Sequence, residues 1–335
     1  MLTFACELPA DRLVSLFDDE TVIDHLAALE AKVSLGILEL SPERATVVQK
    51  LNEAGVPVVA WLLLPKSQGY WFNADNGPKA VARYAAFQLW TAEHGLVWHG
   101  IGVDIEPDIH LMESLVAGNV AKVLPRLLSN AFDRARVARA QAIYATLIVQ
   151  MRLDGYRVES YQIPFIVDER LAGSQLLQRL LGVVDVPSDR EVLMAYTSFM
   201  RPAGPGLLWS YGADALAFGG GVAVGSTGGG VEIDQPQVLT WTELVRDLRL
   251  AHHWGDEIFV FSLEGCVERG YLRQLRGLDW DVPIDVPLRQ AQTVDVVRRA
   301  ARGLLWASAR PSIVLSGLAL GVALICIARR RRRSG

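Results

Sequence analysis

The residues whose types and spacing best suit chemistry are Asp104 and Glu106. They end the run Trp98-His99-Gly100-Ile101-Gly102-Val103-Asp104-Ile105-Glu106-Pro107. The run is apolar over most of its length, carries glycines where a neighbouring backbone must come close, and stops at a proline, the pattern of a central β-strand. A side-chain period of two puts both carboxyls on one face, at the end of the strand where ligands of α/β sheets and barrels bind. Two carboxyls this close repel unless something uses them, and burial beside Asp104 raises the pKa of Glu106 in the direction a general acid needs. The competing reading is a helix cap, a job for which Asp108 is also available.

Positioning such a pair requires a scaffold, and the chain supplies a repeated one. Strands are expected over Met1–Pro9, Val33–Leu40, Val56–Pro65, Trp98–Pro107, Tyr156–Val167, Glu191–Phe199, Ala217–Ser226 and Glu257–Glu264. Between them lie amphipathic helices. Ser41-Pro42-Glu43 is a helix start, Pro78–His94 leads into the central strand, and roughly Leu111–Arg152 is a long helical stretch that includes a break. Leu171–Leu181 and Thr240–His253 follow, the latter opened by Thr240 and Glu243 at capping-box spacing. Strands alternating with helices, without hairpin signals, give parallel βαβ units. Eight units over residues 1–278 predict an α/β fold of the (β/α)8 TIM-barrel type, with a doubly wound open sheet as the alternative.

In a barrel, reactive groups collect at the strand ends on one face. Glu7, Glu39, Asp104, Glu106, Gln162, Tyr196 and Glu264 all fall at or near such ends. Trp61, Tyr70, Trp71, Tyr161, Trp209 and Phe261 could offer flat apolar platforms to a sugar ring against that polar rim, although Trp61, inside a strand, reads better as core.

Bulk properties exclude several classes. With 335 residues, 51% hydrophobic, and a net charge of −4, the chain has no recurrent basic face for a nucleic acid. Cys6, Cys266 and Cys326 have no metal-ligand spacing and suggest neither a zinc site nor a disulfide framework. No cofactor is expected. Schiff-base chemistry would need a lysine at the mouth, where only Lys66 comes near. Gly219-Gly220-Gly221 and Gly228-Gly229-Gly230 match no nucleotide fingerprint, so close backbone packing or a mobile loop is expected there. His252-His253-Trp254 precedes the eighth strand and belongs to the opposite face. A metal on Asp104, Glu106 and Glu264 lacks a supporting histidine.

His99-Gly100-Ile101-Gly102-Val103-Asp104-Ile105-Glu106 resembles the fourth-strand signature D-G-x-D-x-D-x-E of family 18 glycoside hydrolases, the chitinase-like TIM barrels. Met194-Ala195-Tyr196 resembles that family's M-x-Y on strand six, and Phe261 stands roughly where it has a tryptophan. The resemblance implies Glu106 as the acid that protonates the glycosidic oxygen. It implies Asp104 as the group orienting a substrate N-acetyl whose carbonyl oxygen attacks the anomeric carbon, with Tyr196 supporting that intermediate. Trp71, Tyr161, Gln162, Phe261, Glu7, Glu39 and Glu264 would line the substrate site. His99 and Gly102 replace the first two aspartates, Thr197 replaces the aspartate after M-x-Y, and Phe261 replaces the tryptophan. Those replacements motivate a second reading, a barrel that binds a glycan or another envelope ligand without turnover. A third reading is a metal- or phosphate-dependent barrel enzyme.

Independently of the resemblance, a two-carboxylate glycosidase needs a second acid flanking the bond. Strand seven ends Val224-Gly225-Ser226-Thr227-Gly228, with no acid before Glu232, so recruitment of the substrate's own amide fits better, with Glu39 and Glu264 in reserve.

Residues 279–310 read as a linker followed by a basic amphipathic helix over Thr293–Ala309. Residues 311–335 read as an anchor, because Ser312–Ala328 carries no charge and Arg329–Arg333 follows it. Seventeen helical residues rise about 25 Å, at the lower limit for crossing a bilayer. A single C-terminal transmembrane helix and a lipid-bilayer partner are therefore expected. The five arginines place the tail inside, whereas the absence of a signal peptide argues against an outward barrel, so the side of the globular domain stays open.

Overall fold

The computed structural model describes residues 1–230, 238–313 and 316. In chain order the first half comprises β1 (Leu2–Cys6), α1 (Ala10–Phe17), α2 (Glu20–Ala28), β2 (Lys32–Ile37), α3 (Pro42–Glu53), β3 (Val58–Leu62), α4 (Gly77–His94), β4 (Gly100–Ile105), α5 (Ile109–Val116), α6 (Val120–Phe132) and α7 (Arg134–Leu153). The second half comprises β5 (Val158–Gln162), α8 (Phe165–Ala172), α9 (Leu176–Leu181), β6 (Arg190–Met194), α10 (Gly204–Ala217), β7 (Gly221–Gly225), α11 (Trp241–His252), β8 (Ile258–Phe261), α12 (Leu263–Glu268), α13 (Tyr271–Leu275) and α14 (Leu288–Ala309).

All eight strands pair in parallel and in sequence order, and β8 returns to β1 to close the barrel. The closed ring removes the open-sheet alternative. Each expected strand overlaps one of the observed ones, with β2 and β6 starting one residue earlier than expected, and the observed strands are shorter because only the paired part of each apolar run forms the ladder.

Alternation divides every strand between two cores. Phe4, Val33, Ile101, Val103 and Val260 face outward into the apolar layer beneath the helices. Trp61, Tyr161, Val192, Ala223 and Phe259 face inward and fill the barrel. The amino end of the barrel is closed by charge, since Lys32 Nζ lies 2.9 Å from Glu257 Oε1, Arg190 pairs with the other Glu257 oxygen and Thr3 Oγ1 donates to Glu257 at 3.1 Å.

Helix starts follow their capping chemistry. Ser41 Oγ accepts from Arg44 N at 3.3 Å with Pro42 in the first turn, and Thr240 with Glu243 forms the reciprocal capping box. The helical stretch expected over 111–152 is three helices. Gly118 at φ 72° ends the first break, and Asp133 caps α7 by accepting from Arg136 N at 2.9 Å.

Helix α14 begins ahead of the expected helix and packs against α10 and α8 as part of the barrel wall. Its buried Arg298 donates to both oxygens of Asp168, to Asp214 at 2.5 Å and to the Ser210 carbonyl, and its guanidinium lies 3.7 Å from the centre of the Tyr211 ring. Nearly all of the expected anchor, 312–328, and the arginines 329–333 lie outside the described residues. Among the described residues no helix is long and apolar enough to cross a membrane.

Candidate active site

Asp104 is the last inward-facing residue of β4, and Glu106 follows it on the same side. Asp104 is only 1% exposed, whereas Glu106 is half-buried and reaches the opening. Asp108 Oδ1 accepts from His110 N at 3.0 Å and so performs the helix cap. The two upstream carboxyls are thereby free of that duty. Glu106 is fixed through its backbone, its N–H donating to the Phe72 carbonyl at 3.2 Å, while Phe72 N donates to the Asp104 carbonyl at 2.9 Å.

Two more carboxyls share the mouth. Glu7 extends β1 on its inward side, and Tyr70 donates its hydroxyl to Glu7 Oε1. Tyr70 holds a left-handed backbone, φ 64°, which is rare for a bulky residue and marks a position fixed by its surroundings. Glu264, just past the start of α12, accepts from Glu7 N at 3.3 Å, while its other oxygen is buried without a partner.

Burial dominates the electrostatics of all four acids. It pushes Asp104 well above the carboxylate range, with the charges of Glu106 and Glu7 adding to the shift. It lifts Glu106 to about 7, against the hydrogen bond from Asp104. Glu7 rises to about 8 through burial, partly opposed by the Tyr70 hydroxyl, and Glu264 rises to about 7 through burial, partly opposed by its backbone hydrogen bonds. Burial therefore favours the neutral form of all four carboxyls, and Asp104 and Glu106, close on one strand face, titrate as a coupled pair.

Aromatic rings wall this cluster. Tyr161, opposite Asp104 in the β4–β5 register, meets Trp61 edge-on with centroids 6.0 Å apart. Its hydroxyl lies 2.6 Å from Ser34 Oγ. Phe261 lies 5.5 Å from Tyr196 and 6.5 Å from Trp61. Tyr196 is half-buried like Phe261, and the charges of Asp104 and Glu106 add to burial in raising its pKa. Trp71 is buried and packs edge-on against Tyr70 at 5.3 Å.

Glycines make the crowding possible. A Cβ on Gly102 would lie 2.7 Å from the Tyr161 hydroxyl, so a side chain there is displaced by the tyrosine. The triad Gly228-Gly229-Gly230 has positive φ throughout and folds over the cluster. A Cβ on Gly229 would strike Glu264, and one on Gly230 would strike the Phe261 ring and approach Glu7 to 2.9 Å. This is the close backbone packing expected for that triad.

The structure thus gathers Glu7, Asp104, Glu106, Tyr161, Tyr196, Phe261, Trp71 and Glu264 at or beside one mouth, and separates others from it. Gln162 faces outward, donating to the Val184 carbonyl at 3.2 Å, because adjacent Tyr161 takes the inward side. The Glu39 carboxylate is held by buried Arg44, whose guanidinium also donates to the Gly36 and Leu8 carbonyls. Trp209 is no platform at the mouth, since it stacks on His253 at 4.8 Å and packs on Trp254. Trp61 is inward-facing and buried, a core residue that also forms the site floor. Sequence reasoning did not find the Tyr70–Glu7 contact. Among the described residues no three histidine, cysteine or acidic side chains are grouped to hold a metal ion.

No known protein family matches the chain, and no curated protein does. Among solved structures it is similar to the glycoside hydrolase domain of PgaB (BpsB) from Bordetella bronchiseptica, with 10% identity and a TM-score of 0.46 over 77% of this chain and 91% of that one. It is also similar to a Haloferax volcanii malate synthase solved with pyruvate and acetyl-CoA, with 13% identity and a TM-score of 0.39 over 90% and 81% of the two chains. Likenesses this distant carry no chemistry across. The barrel rests on its strand pairings, and the chemistry on its side chains.

Proposed function

We propose that this chain is a glycosidase-like barrel that acts on a glycan by acid catalysis, with Glu106 as the proton donor. The observation that carries the reading is the Asp104–Glu106 pair. One carboxyl is buried, with its pKa pushed well above the carboxylate range, the other reaches solvent with its pKa raised to about 7, and neither serves as a helix cap. Glu106 delivers its proton to the glycosidic oxygen. Asp104 governs that proton and faces the side from which a nucleophile arrives. The half-buried rings of Tyr196 and Phe261 offer an apolar rest for a sugar.

The same electrostatics favour a nucleophile from the substrate. Glu7 is held neutral up to about pH 8, and Glu264, raised to about 7, is only partly ionised at neutral pH and accepts from the Glu7 N–H, so neither is a fully ionised carboxylate free to attack. An N-acetyl carbonyl oxygen needs no such anion. N-acetylated oligosaccharides should therefore be cleaved and their de-N-acetylated counterparts left intact. Cleavage of both series would transfer the nucleophile to Glu264 or Glu7. Product formation unchanged by Glu106→Gln would remove Glu106 from the chemistry.

A second reading, a barrel that binds a glycan without turnover, is favoured by the narrowness of the mouth. Trp61, Tyr70, Trp71 and Asp104 are all buried and the glycine triad covers two of the acids. It requires oligosaccharide affinity that survives Glu106→Gln, with no product from the wild type.

A further inference from the structure

Helix α6 is apolar on a face that nothing in the described chain covers. Val120, Leu124, Leu128 and Phe132 recur every fourth residue and so share one side. All four are exposed, Phe132 to 86%, and the helix has no buried residue at all. It contains no acid, and its charges are Lys122 and Arg126. Arg126 reaches Asp75, which also pairs with Arg136. An apolar face with basic residues elsewhere around the helix is the make-up of helices that lie in the plane of a membrane interface.

A second observation concerns what lies beside it. A cleft of about 450 Å³ is lined by Arg134, Arg170 and Arg179, with Ala309 at its edge; Arg170 is paired with Asp185 and Glu191 and buried Arg179 donates to the Ala131 carbonyl, which leaves Arg134 as the exposed cation of the three. Arg134 follows Phe132 by two residues, and Ala309 is the last residue of α14, so the ends of α6 and α14 meet at one cleft. From there the chain runs through exposed Ile313 into the uncharged stretch 312–328 and then Arg329–Arg333. Near the end of α14, Leu304 and Trp306 are exposed, and the Arg310 guanidinium lies 5.1 Å from the Trp306 ring centre. Tryptophan with arginine is a pairing suited to the headgroup level of a bilayer.

We propose that this flank rests on a bilayer surface containing anionic headgroups, with α6 lying in the interface. Exposed Arg134, just past the end of α6, meets lipid phosphate while the α6 stripe enters the acyl boundary. Helix α5 begins at Ile109, directly after Glu106-Pro107-Asp108, so the docking holds the rim of the barrel mouth at the membrane surface. The proposal stands on the flank alone and does not depend on what the mouth catalyses.

The test uses the full chain with Cys326→Ser, because Cys6 and Cys266 are buried. Leu128→Cys, Phe132→Cys and, near the C-terminal end of α4 and away from the α6 stripe, Leu89→Cys each carry an environment-sensitive fluorophore, and the chain is reconstituted into phosphatidylcholine–phosphatidylglycerol vesicles with brominated acyl chains. Quenching of about twofold or more is expected at 128 and 132 but not at 89, with weaker quenching in pure phosphatidylcholine. A chain that floats with the vesicles while 128 and 132 are quenched no more than 89 overturns the docking, as does a chain that fails to float. Equal quenching in pure phosphatidylcholine overturns the anionic-headgroup assignment. Burial of the probes that rises with protein concentration in lipid-free detergent means that a second copy covers the stripe, and it overturns the proposal too.

Discussion

Replacing Glu7 by glutamine should stabilise the protein at alkaline pH and leave it nearly unchanged at acidic pH. Burial raises the Glu7 carboxyl from 4.5 to about 8 in the folded chain. Between those values the folded state keeps a proton that the unfolded state has released, so wild-type stability falls as pH rises through that window and levels off above it. At about 1.4 kcal/mol per unit, the full shift corresponds to a loss on the order of 5 kcal/mol, an upper limit because water entry and neighbouring Glu264 and Glu106 absorb part of it. Glutamine keeps an oxygen to accept from Tyr70 and removes the charge. Chemical denaturation followed by tryptophan fluorescence at pH 5, 7 and 9 should show the variant matching wild type within about 1 kcal/mol at pH 5 and exceeding it by a few kcal/mol at pH 9. Stability–pH curves that run parallel for the two proteins would refute the claim that Glu7 is folded as a neutral acid.

Three further outcomes follow from particular contacts. Gly102→Ala should cost about 1–3 kcal/mol, because the new Cβ meets the Tyr161 ring and hydroxyl, and pairing it with Tyr161→Leu should recover part of that loss in a double-mutant cycle. Arg298→Met should lower stability by about 1–3 kcal/mol, since it leaves buried Asp168 with only the Tyr211 hydroxyl and Arg302 as partners; thermal unfolding reads this directly, and an unchanged midpoint would mean that α14 is not part of the wall. Tyr196→Leu removes the ring that lies 5.5 Å from Phe261 and should raise KM for a glycan about tenfold while Tyr196→Phe, which keeps the ring, leaves it nearly unchanged.

The eight βα units were legible in the sequence because each strand is a short apolar run bounded by turn and capping signals, whereas closure, which an open doubly wound sheet of the same units would lack, is decided only by the pairing of β8 with β1. The carboxyl pair was legible for the same reason, since a period of two fixes the face of Asp104 and Glu106 once the strand is known. What the sequence did not show depends on contacts between distant segments. Gln162 and Tyr161 are neighbours at a strand end, and which of them faces inward follows from the space above Gly102. Glu39 lies two residues past the end of β2, and its fate was decided by Arg44, a residue that in sequence looks like an ordinary position in the first turn of α3. Trp209 was misplaced because α10 carries it against His253 and Trp254. The partnership of Tyr70 with Glu7 spans 63 residues and rests on a left-handed tyrosine that no local pattern announces. Helix α14 looked like a linker helix because its arginines read as surface charge, and only the acids on α8 and α10 show that one of them is buried.

The most direct test is the pH dependence of glycan cleavage in wild type and Glu106→Gln. With Glu106 titrating at about 7, wild-type kcat should hold at acidic pH and fall about tenfold per unit above that value, while the variant should lose about 100-fold or more and show no such limb. A Glu106→Gln protein that retains both the turnover and the alkaline limb would contradict the account.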